Sequence, residues 1–323
     1  GEVWVALPPG MSGAVRVTLE GRSAVTSVVQ GNLLRLRLPE REPGRRRQPP
    51  AALARIAVRH WPGGPPAVGV VDLGDAVQPT WTRITAQEWV EAFARSRLAV
   101  EYGVPVRRIT SARELAAALE AGPTAWFALV NPYGEGFPVE EPARWREMLD
   151  RVRAYVNAGG CWWETGGYSF YSAVSVVDGV KQAESVGPAG ASVLGLPVGS
   201  GEVDQSEEPL RVPPEGRAWL GEALSTRVER AMSSVNRGLP RGSEDPGHVT
   251  LVAGAAHDFI GGYRLEGWGW LFRVGGFYPN PDVVLPVAVA AMEYLYTRPP
   301  LPVKPGGVRY LWHATVTPLA APH

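Results

Sequence analysis

Few side chains in this chain can do chemistry, and the most informative of them gather around one segment. Gly159-Gly160-Cys161-Trp162-Trp163-Glu164-Thr165-Gly166-Gly167-Tyr168 reads as a buried strand running into a sharp glycine turn. In α/β enzymes such a corner presents a nucleophile on a strained elbow flanked by small residues. The corner residue here is Thr165, a weak nucleophile unless a strong base stands beside it. Glu164 directly precedes it. A strand-end carboxylate acts as a general acid or base when its pKa is raised; it can also simply hold the elbow by accepting from backbone amides. Cys161 is the single cysteine, which excludes an internal disulfide. It lies four residues before the corner, where strand alternation makes it a buried structural thiol. His257-Asp258 is the one His-Asp neighbour pair, read as loop hydrogen bonding or as a base near a sheet edge. His60, His248, His313 and His323 lack ligand spacing, and no Cys/His/carboxylate cluster points to zinc. No phosphate loop or dinucleotide fingerprint is present, so neither metal nor cofactor is expected.

The elements that must position these groups fall into two kinds. Residues 1 to 62 carry short Val- and Leu-rich runs, among them Val15, Val17 and Leu19, alternating with polar residues and separated by turn formers. Period-two alternation of this sort predicts a small antiparallel β-sandwich. Gly63-Gly64-Pro65-Pro66 marks a junction. From residue 67 strands alternate with helices: strands over Ala67–Leu73, Val104–Ile109, Trp126–Val130 and Cys161–Glu164, and helices over Thr85–Tyr102, from Ser111 to Gly122, and over Pro142–Ala158. Ser111 followed by Glu114 is a capping-box signature, and Gly159-Gly160 suits a left-handed helix end. The β-α-β order calls for a parallel sheet with helices on both faces. Residues 178–215 carry weak signals and read as excursions around the sheet edge. Val249–Ala253 and Gly269–Val274 are later strands, Val283–Tyr296 a final helix, and Val308–Thr317 a strand returning to the first domain or adding to another subunit. The expected domains are 1–62, 67–298 and a 299–323 extension.

Lys plus Arg and Asp plus Glu both total 32, a net charge of zero that argues against nucleic-acid binding. No apolar run is long enough to cross a bilayer. The Arg45-Arg46-Arg47 cluster reads as a solvated loop, or as a surface contact. Arginine-dominated positive charge and 31 prolines suggest a GC-rich, thermophilic source. A start at Gly1, the sandwich and 12 tryptophans favour a protein outside the cytoplasm.

Three features together resemble the class I glutamine amidotransferase-like domains, in the broad flavodoxin-like sense that includes the trehalose-utilisation (ThuA-like) branch. Asn131-Pro132-Tyr133-Gly134 stands where that family has a Pro-Gly-rich oxyanion turn. Glu164-Thr165-Gly166-Gly167-Tyr168 stands where it has Gly-x-Cys-x-Gly. Gly276-Phe277-Tyr278-Pro279-Asn280 stands where it has Phe-His-Pro-Glu. The resemblance implies a flavodoxin-like sheet. It also implies that Thr165 takes the place of the nucleophilic cysteine, Tyr278 that of the histidine and Asn280 that of the glutamate. A phenol whose reference pKa is near 10 is no base at neutral pH, so amide hydrolysis is not expected.

What remains is a crevice at the carboxyl ends of the strands. Its expected lining is Asp75, Trp81, Asn131, Tyr133, Glu135, Glu164, Thr165, Tyr168 and Tyr278. Aromatic rings beside polar tips suit a sugar or peptide-like ligand. One reading is therefore a catalytically inactive binding or assembly protein, pairing through edge strands. The other is a diverged hydrolase acting on a glycan, with Glu164 and either Asp75 or Glu135 as its carboxylates.

Overall fold

The computed structural model describes residues 65–196, 207–234 and 247–297 apart from 256 and 268, together with the backbone of seven short strands elsewhere. Arg45–Arg47, the side chains of residues 1–64, and the segments 197–206 and 235–246 lie outside the described residues. Contacts divide the chain into two units, Pro66–Tyr294 and Gly1–Pro65 with Leu295–His323.

In the second of these units every pair among the described strands is antiparallel. Leu33–Arg37 lies between Glu2–Ala6 and Val28–Gln30, and Arg55–Trp61 lies between Ala14–Leu19 and Tyr310–His313. The C-terminal strand, left open by the sequence, thus pairs within this unit, Tyr310 opposite Val58.

The larger unit is a mixed α/β domain. Its sheet strands are β1 (Ala67–Val71), β2 (Val106–Ile109), β3 (Trp126–Asn131), β4 (Cys161–Thr165), β5 (His248–Ala253), β6 (Asp258–Tyr263) and β7 (Trp270–Val274). Their order is β5-β6-β7-β4-β3-β1-β2. The five strands from β7 to β2 run parallel, whereas β6 is antiparallel to both its neighbours. The sheet is therefore mostly parallel with an antiparallel margin. Central strands are buried on both faces, which is why β1 reads as a continuous apolar run and β4 opens on one, Cys161-Trp162-Trp163.

The helices are α1 (Ala86–Ala94), α2 (Ala112–Ala121), α3 (Trp145–Asn157) and α4 (Pro281–Thr297). Thr85 and Glu88 form a reciprocal capping box at the start of α1. The expected continuous helix from Thr85 to Tyr102 is instead broken. Ser96 takes extended backbone (φ −72°, ψ 161°), and its hydroxyl donates to the Phe93 carbonyl at 2.5 Å. A short helix, Arg97–Val100, follows. The second capping box is half-formed. Ser111 accepts from Glu114 N, but the Glu114 carboxylate reaches Thr110 N at 2.7 Å.

Alternation along β4 sends Trp162 and Trp163 to opposite faces. Trp162 joins the cluster built with α2 and α3, including Leu115, Leu149, Val152 and Tyr155. Trp163 stacks on Phe272 at 5.0 Å and meets Trp89 of α1 at 6.0 Å. Phe272 touches Trp219, which stacks on Tyr294 of α4 at 4.3 Å. Beyond β4 a hairpin, Ser172–Val177 with Val180–Ser185, pairs with Gly136–Pro138 and forms a second small sheet that the sequence did not disclose. No helix among the described residues is long and apolar enough to cross a membrane.

Candidate functional site

Register brings the polar groups into one row. Glu164 lies opposite Asn131 on one side and Arg273 on the other. Paired residues of neighbouring strands point to the same face, so all three belong to one layer at the carboxyl end of the sheet. All are essentially buried.

Glu164 is held from several directions. Asn131 Nδ2 donates to its Oε1 at 3.1 Å and Trp162 Nε1 to its Oε2 at 2.8 Å. Burial nevertheless dominates and pushes the carboxyl up to about 8, against the opposing pull of these donors, the Phe170 amide and the Arg273 charge. Asn131 also donates to the Gly136 carbonyl at 2.9 Å and accepts from Tyr133 N. Tyr133 is a buried brace. Its hydroxyl accepts from Leu73 N, and desolvation raises it to about 12. Glu135 accepts from Tyr168 N at 3.0 Å, and burial raises its carboxyl too. Gly167, at φ +62°, makes this approach possible, because a Cβ there would stand 2.4 Å from Glu135 Cγ.

The three positions of the family resemblance reach one end of the sheet but face differently. Gly166 N donates to Val274 O and Gly167 N to Gly276 O, stitching the corner to the loop after β7. Residues 80–82 lie across this seam. Thr80 N donates to Tyr133 O, Trp81 O accepts from Tyr278 N, and a Cβ on Gly166 would come 3.0 Å from Trp81 O. Thr165 beneath them is wholly buried, and its hydroxyl has no hydrogen-bond partner. Tyr278 is 51% exposed, in the left-handed region at φ 51°, with Arg83 over its ring at 4.8 Å. Asn280 accepts from Asp282 N at 3.0 Å and so caps α4. Asp75 is exposed in the turn Gly74–Ala76.

Cys161 is buried and its thiol is pushed up by desolvation. The partner of Asp258 is not its neighbour His257 but His248, whose Nε2 lies 2.7 Å from Asp258 Oδ2, while Thr250 donates to the other oxygen at 2.8 Å. They converge over Gly261, where the absence of a side chain leaves room. Among the described residues no group of three or more His, Cys, Asp or Glu is placed to hold a metal ion.

Beside the buried row opens a cavity of about 170 Å³, lined by Tyr168, Ser169, Tyr171 and Arg273 on one side and Gly187, Pro188 and Ala191 on the other. Sequence reasoning had placed only Tyr168 at the crevice. Arg273 carried a usable signal, a lone charge inside the apolar strand Trp-Leu-Phe-Arg-Val. Ser169 and Tyr171 carried none.

The Thr165 hydroxyl can be tested directly. Removing a buried unsatisfied hydroxyl lifts a desolvation penalty of roughly 1–3 kcal/mol. Thr165→Val is expected to raise the urea unfolding free energy by about 1 kcal/mol. A loss of that size would mean that the hydroxyl has a partner.

Comparison with protein families and with curated proteins finds no match. Solved structures do show similarity. The GH42 β-galactosidase Gan42B is 11% identical with TM-score 0.39, over 73% of this chain and 31% of that one. A catalytic mutant of Gan42B from G. stearothermophilus is 13% identical with TM-score 0.40, over the same shares. The exo-β-1,4-mannosidase Op5Man5 from Opitutaceae bacterium strain TAV5 is 12% identical with TM-score 0.32, over 72% of this chain and 35% of that one. The chain spans about a third of the length of each.

Proposed function

We propose that the Pro66–Tyr294 unit is a non-catalytic, flavodoxin-like relative of the class I glutamine amidotransferase-like domains, and that it binds a small sugar or peptide-like ligand in the cavity beside its corner. One observation carries the reading. The residue in the nucleophile's place, Thr165, is wholly buried with no hydrogen-bond partner for its hydroxyl, while a cavity with aromatic walls and an arginine opens a few residues further on, at Tyr168, Ser169 and Tyr171. Acyl transfer needs a nucleophile within reach of both base and substrate, and neither condition is met at Thr165. The strand order β2-β1-β3-β4-β7 supports the flavodoxin-like assignment, in which ligands sit outside the carboxyl ends of the strands.

Thermal unfolding of the full chain, with monosaccharides, sugar acids, amino acids and dipeptides added in turn, tests this. A ligand that binds only the folded state raises the midpoint saturably. At least one class is expected to do so, and Tyr171→Ala, which removes a cavity wall, is expected to abolish the effect. No saturable shift with any class would refute the proposal.

A second reading, glycan hydrolysis, is favoured by one fact: burial raises both Glu164 and Glu135, as a general acid at neutral pH requires. Turnover of aryl glycosides that disappears in Glu135→Gln would establish it. Its absence across the panel would leave binding alone.

A further inference from the structure

We infer that the strand Val180–Ser185 pairs antiparallel with the same strand of a second copy of this chain, about a two-fold axis at Ala183. This goes beyond ligand binding and rests on the edge of the small sheet alone.

The hairpin has one partnered edge and one open edge. Ser172–Val177 lies between Gly136–Pro138 and Val180–Ser185, so Val180–Ser185 ends this sheet. All 6 of its residues are exposed, and Val180 is 64% exposed although apolar. Proteins normally blunt such an edge with a proline, a bulge or a covering element, because its free amides and carbonyls are a template for another strand. Among the described residues none of these devices protects it. The strand has no proline, its exposure leaves it uncovered, and its register runs unbroken from Val177 opposite Val180 to Ser172 opposite Ser185.

The hydrogen bonds fix which residues face outward. Ser172 N donates to Glu135 O, and Val174 O accepts from Val139 N, so both face the neighbour on the far side. Backbone groups alternate sides along a strand. Ala173, Ser175 and Val177 therefore bond to their cross-strand partners Glu184, Gln182 and Val180. Val186 N, which donates to Tyr171 O, fits the same alternation. The N–H and C=O of Lys181, Ala183 and Ser185 are left pointing away from the sheet.

Charge then selects the register. In an antiparallel pair, outward residues must oppose outward residues. An axis at Lys181 or at Glu184 sets like charges directly opposite each other, which is destabilising. An axis at Gln182 sets Val180 against Glu184 and leaves Ser185 without a strand partner. An axis at Ala183 engages all three outward residues. Lys181, the sort of charge that guards an edge, then meets Ser185 rather than its own copy. On the other face the Gln182 amide meets the Glu184 carboxylate, twice over by symmetry, and Val180 comes opposite Val186. Main-chain bonds supply the attraction, and the side-chain pairs set the register, as in other strand additions. The same patch serves both copies, so the assembly closes at two. One strand from each copy makes a contact below the roughly 1,200 Å² of standard interfaces, so the dimer is weak and reversible.

Sedimentation equilibrium of the full chain tests this, at concentrations spanning dissociation constants from about 1 μM to about 1 mM. The mass is expected to rise reversibly from one chain toward two and no further. Ala183→Pro removes an amide that makes no bond within the hairpin, a position where an edge strand tolerates proline. At the axis it deletes both bonds of the central pair, and it is expected to weaken the dimer at least about ten-fold. Gln182→Glu places like charges opposite Glu184 and should weaken it several-fold, whereas Gln182→Lys places opposite charges there and should strengthen it. These two exposed substitutions carry the test if the circular dichroism of Ala183→Pro departs from the parent. A mass that stays at one chain throughout would overturn the inference, as would growth beyond two chains. A dimer indifferent to Ala183→Pro, or one that both Gln182 variants shift in the same direction, would place the contact elsewhere and overturn it too.

Discussion

Between about pH 5 and about pH 8 the folded chain is expected to lose on the order of 3 kcal/mol of stability, and Glu164 is the main cause. Its carboxyl stands near the ordinary value of 4.5 in the unfolded chain and is pushed by burial to about 8 in the folded one. Below pH about 4.5 both states hold the proton and the buried neutral form is tolerated in full. As the pH rises, the unfolded chain releases a proton that the folded chain retains. Stability then falls by about 1.4 kcal/mol per pH unit until Glu164 itself ionises. Glu135 and Glu293 are raised by burial and add in the same direction. The surface carboxylates Glu91, Glu101 and Glu147 are lowered by their partners and act oppositely, chiefly at acid pH. Surface pairs of this kind carry little weight. Urea titrations at several pH values measure the slope. Glu164→Gln is expected to flatten it whatever its own baseline stability, because nothing is left to titrate at that position. A parent protein whose stability is level across this range would show that Glu164 ionises normally, and the general-acid reading would lose its basis.

Gly134→Ala is expected to cost more than about 3 kcal/mol, a size reserved for gross steric or backbone conflict. Gly134 has φ +67°, already unfavourable for any side chain. A Cβ there would stand 1.7 Å from the Thr80 carbonyl oxygen and 3.2 Å from that of Thr165. Both obstacles are backbone, so no rotamer change relieves them. The Thr80 segment would have to lift, breaking its bond to the Tyr133 carbonyl. Gly122 supplies the control. It has φ +75° and ψ −175° but nothing within 4 Å of its notional Cβ, so Gly122→Ala bears only the conformational cost of a region nearly reserved for glycine, about 1–3 kcal/mol. Parallel urea titrations separate the two effects. If the two variants are equally stable, residues 80–82 are not clamped over the corner, and Thr165 is more accessible than its burial indicates.

Much of the α/β unit was legible because its signals are local. Ala67–Val71 is an apolar run, and Trp126–Asn131 and Cys161–Thr165 are apolar up to their last one or two residues; burial on both faces demands such runs. Helix starts were marked by hydroxyl residues and ends by glycine, as at Ser111 and Gly122. Elements without a local signature were missed. Val180–Ser185 is exposed along its whole length, so no alternation betrays it. Gly261 and Gly262 both lie inside β6, a strand absent from the sequence analysis. A Cβ on Gly262 would stand 2.6 Å from the Phe272 ring. There glycine answers a crowded neighbour strand, not a turn.

The sequence alone determined which residue types stand at the corner: a hydroxyl at Thr165, a phenol at Tyr278 and an amide at Asn280. These types supply neither a thiolate nor an imidazole at the corner, because that reactivity belongs to the side chains themselves. Only the tertiary structure decided that Thr165 is sealed, that Tyr278 faces outward and that Asn280 caps a helix. It alone placed Arg273 beside Ser169 and the tyrosine pair. Burial pattern and turn chemistry are properties of neighbours along the chain. Which side chains share a cavity depends on strand order and register, and these join segments that the chain keeps far apart.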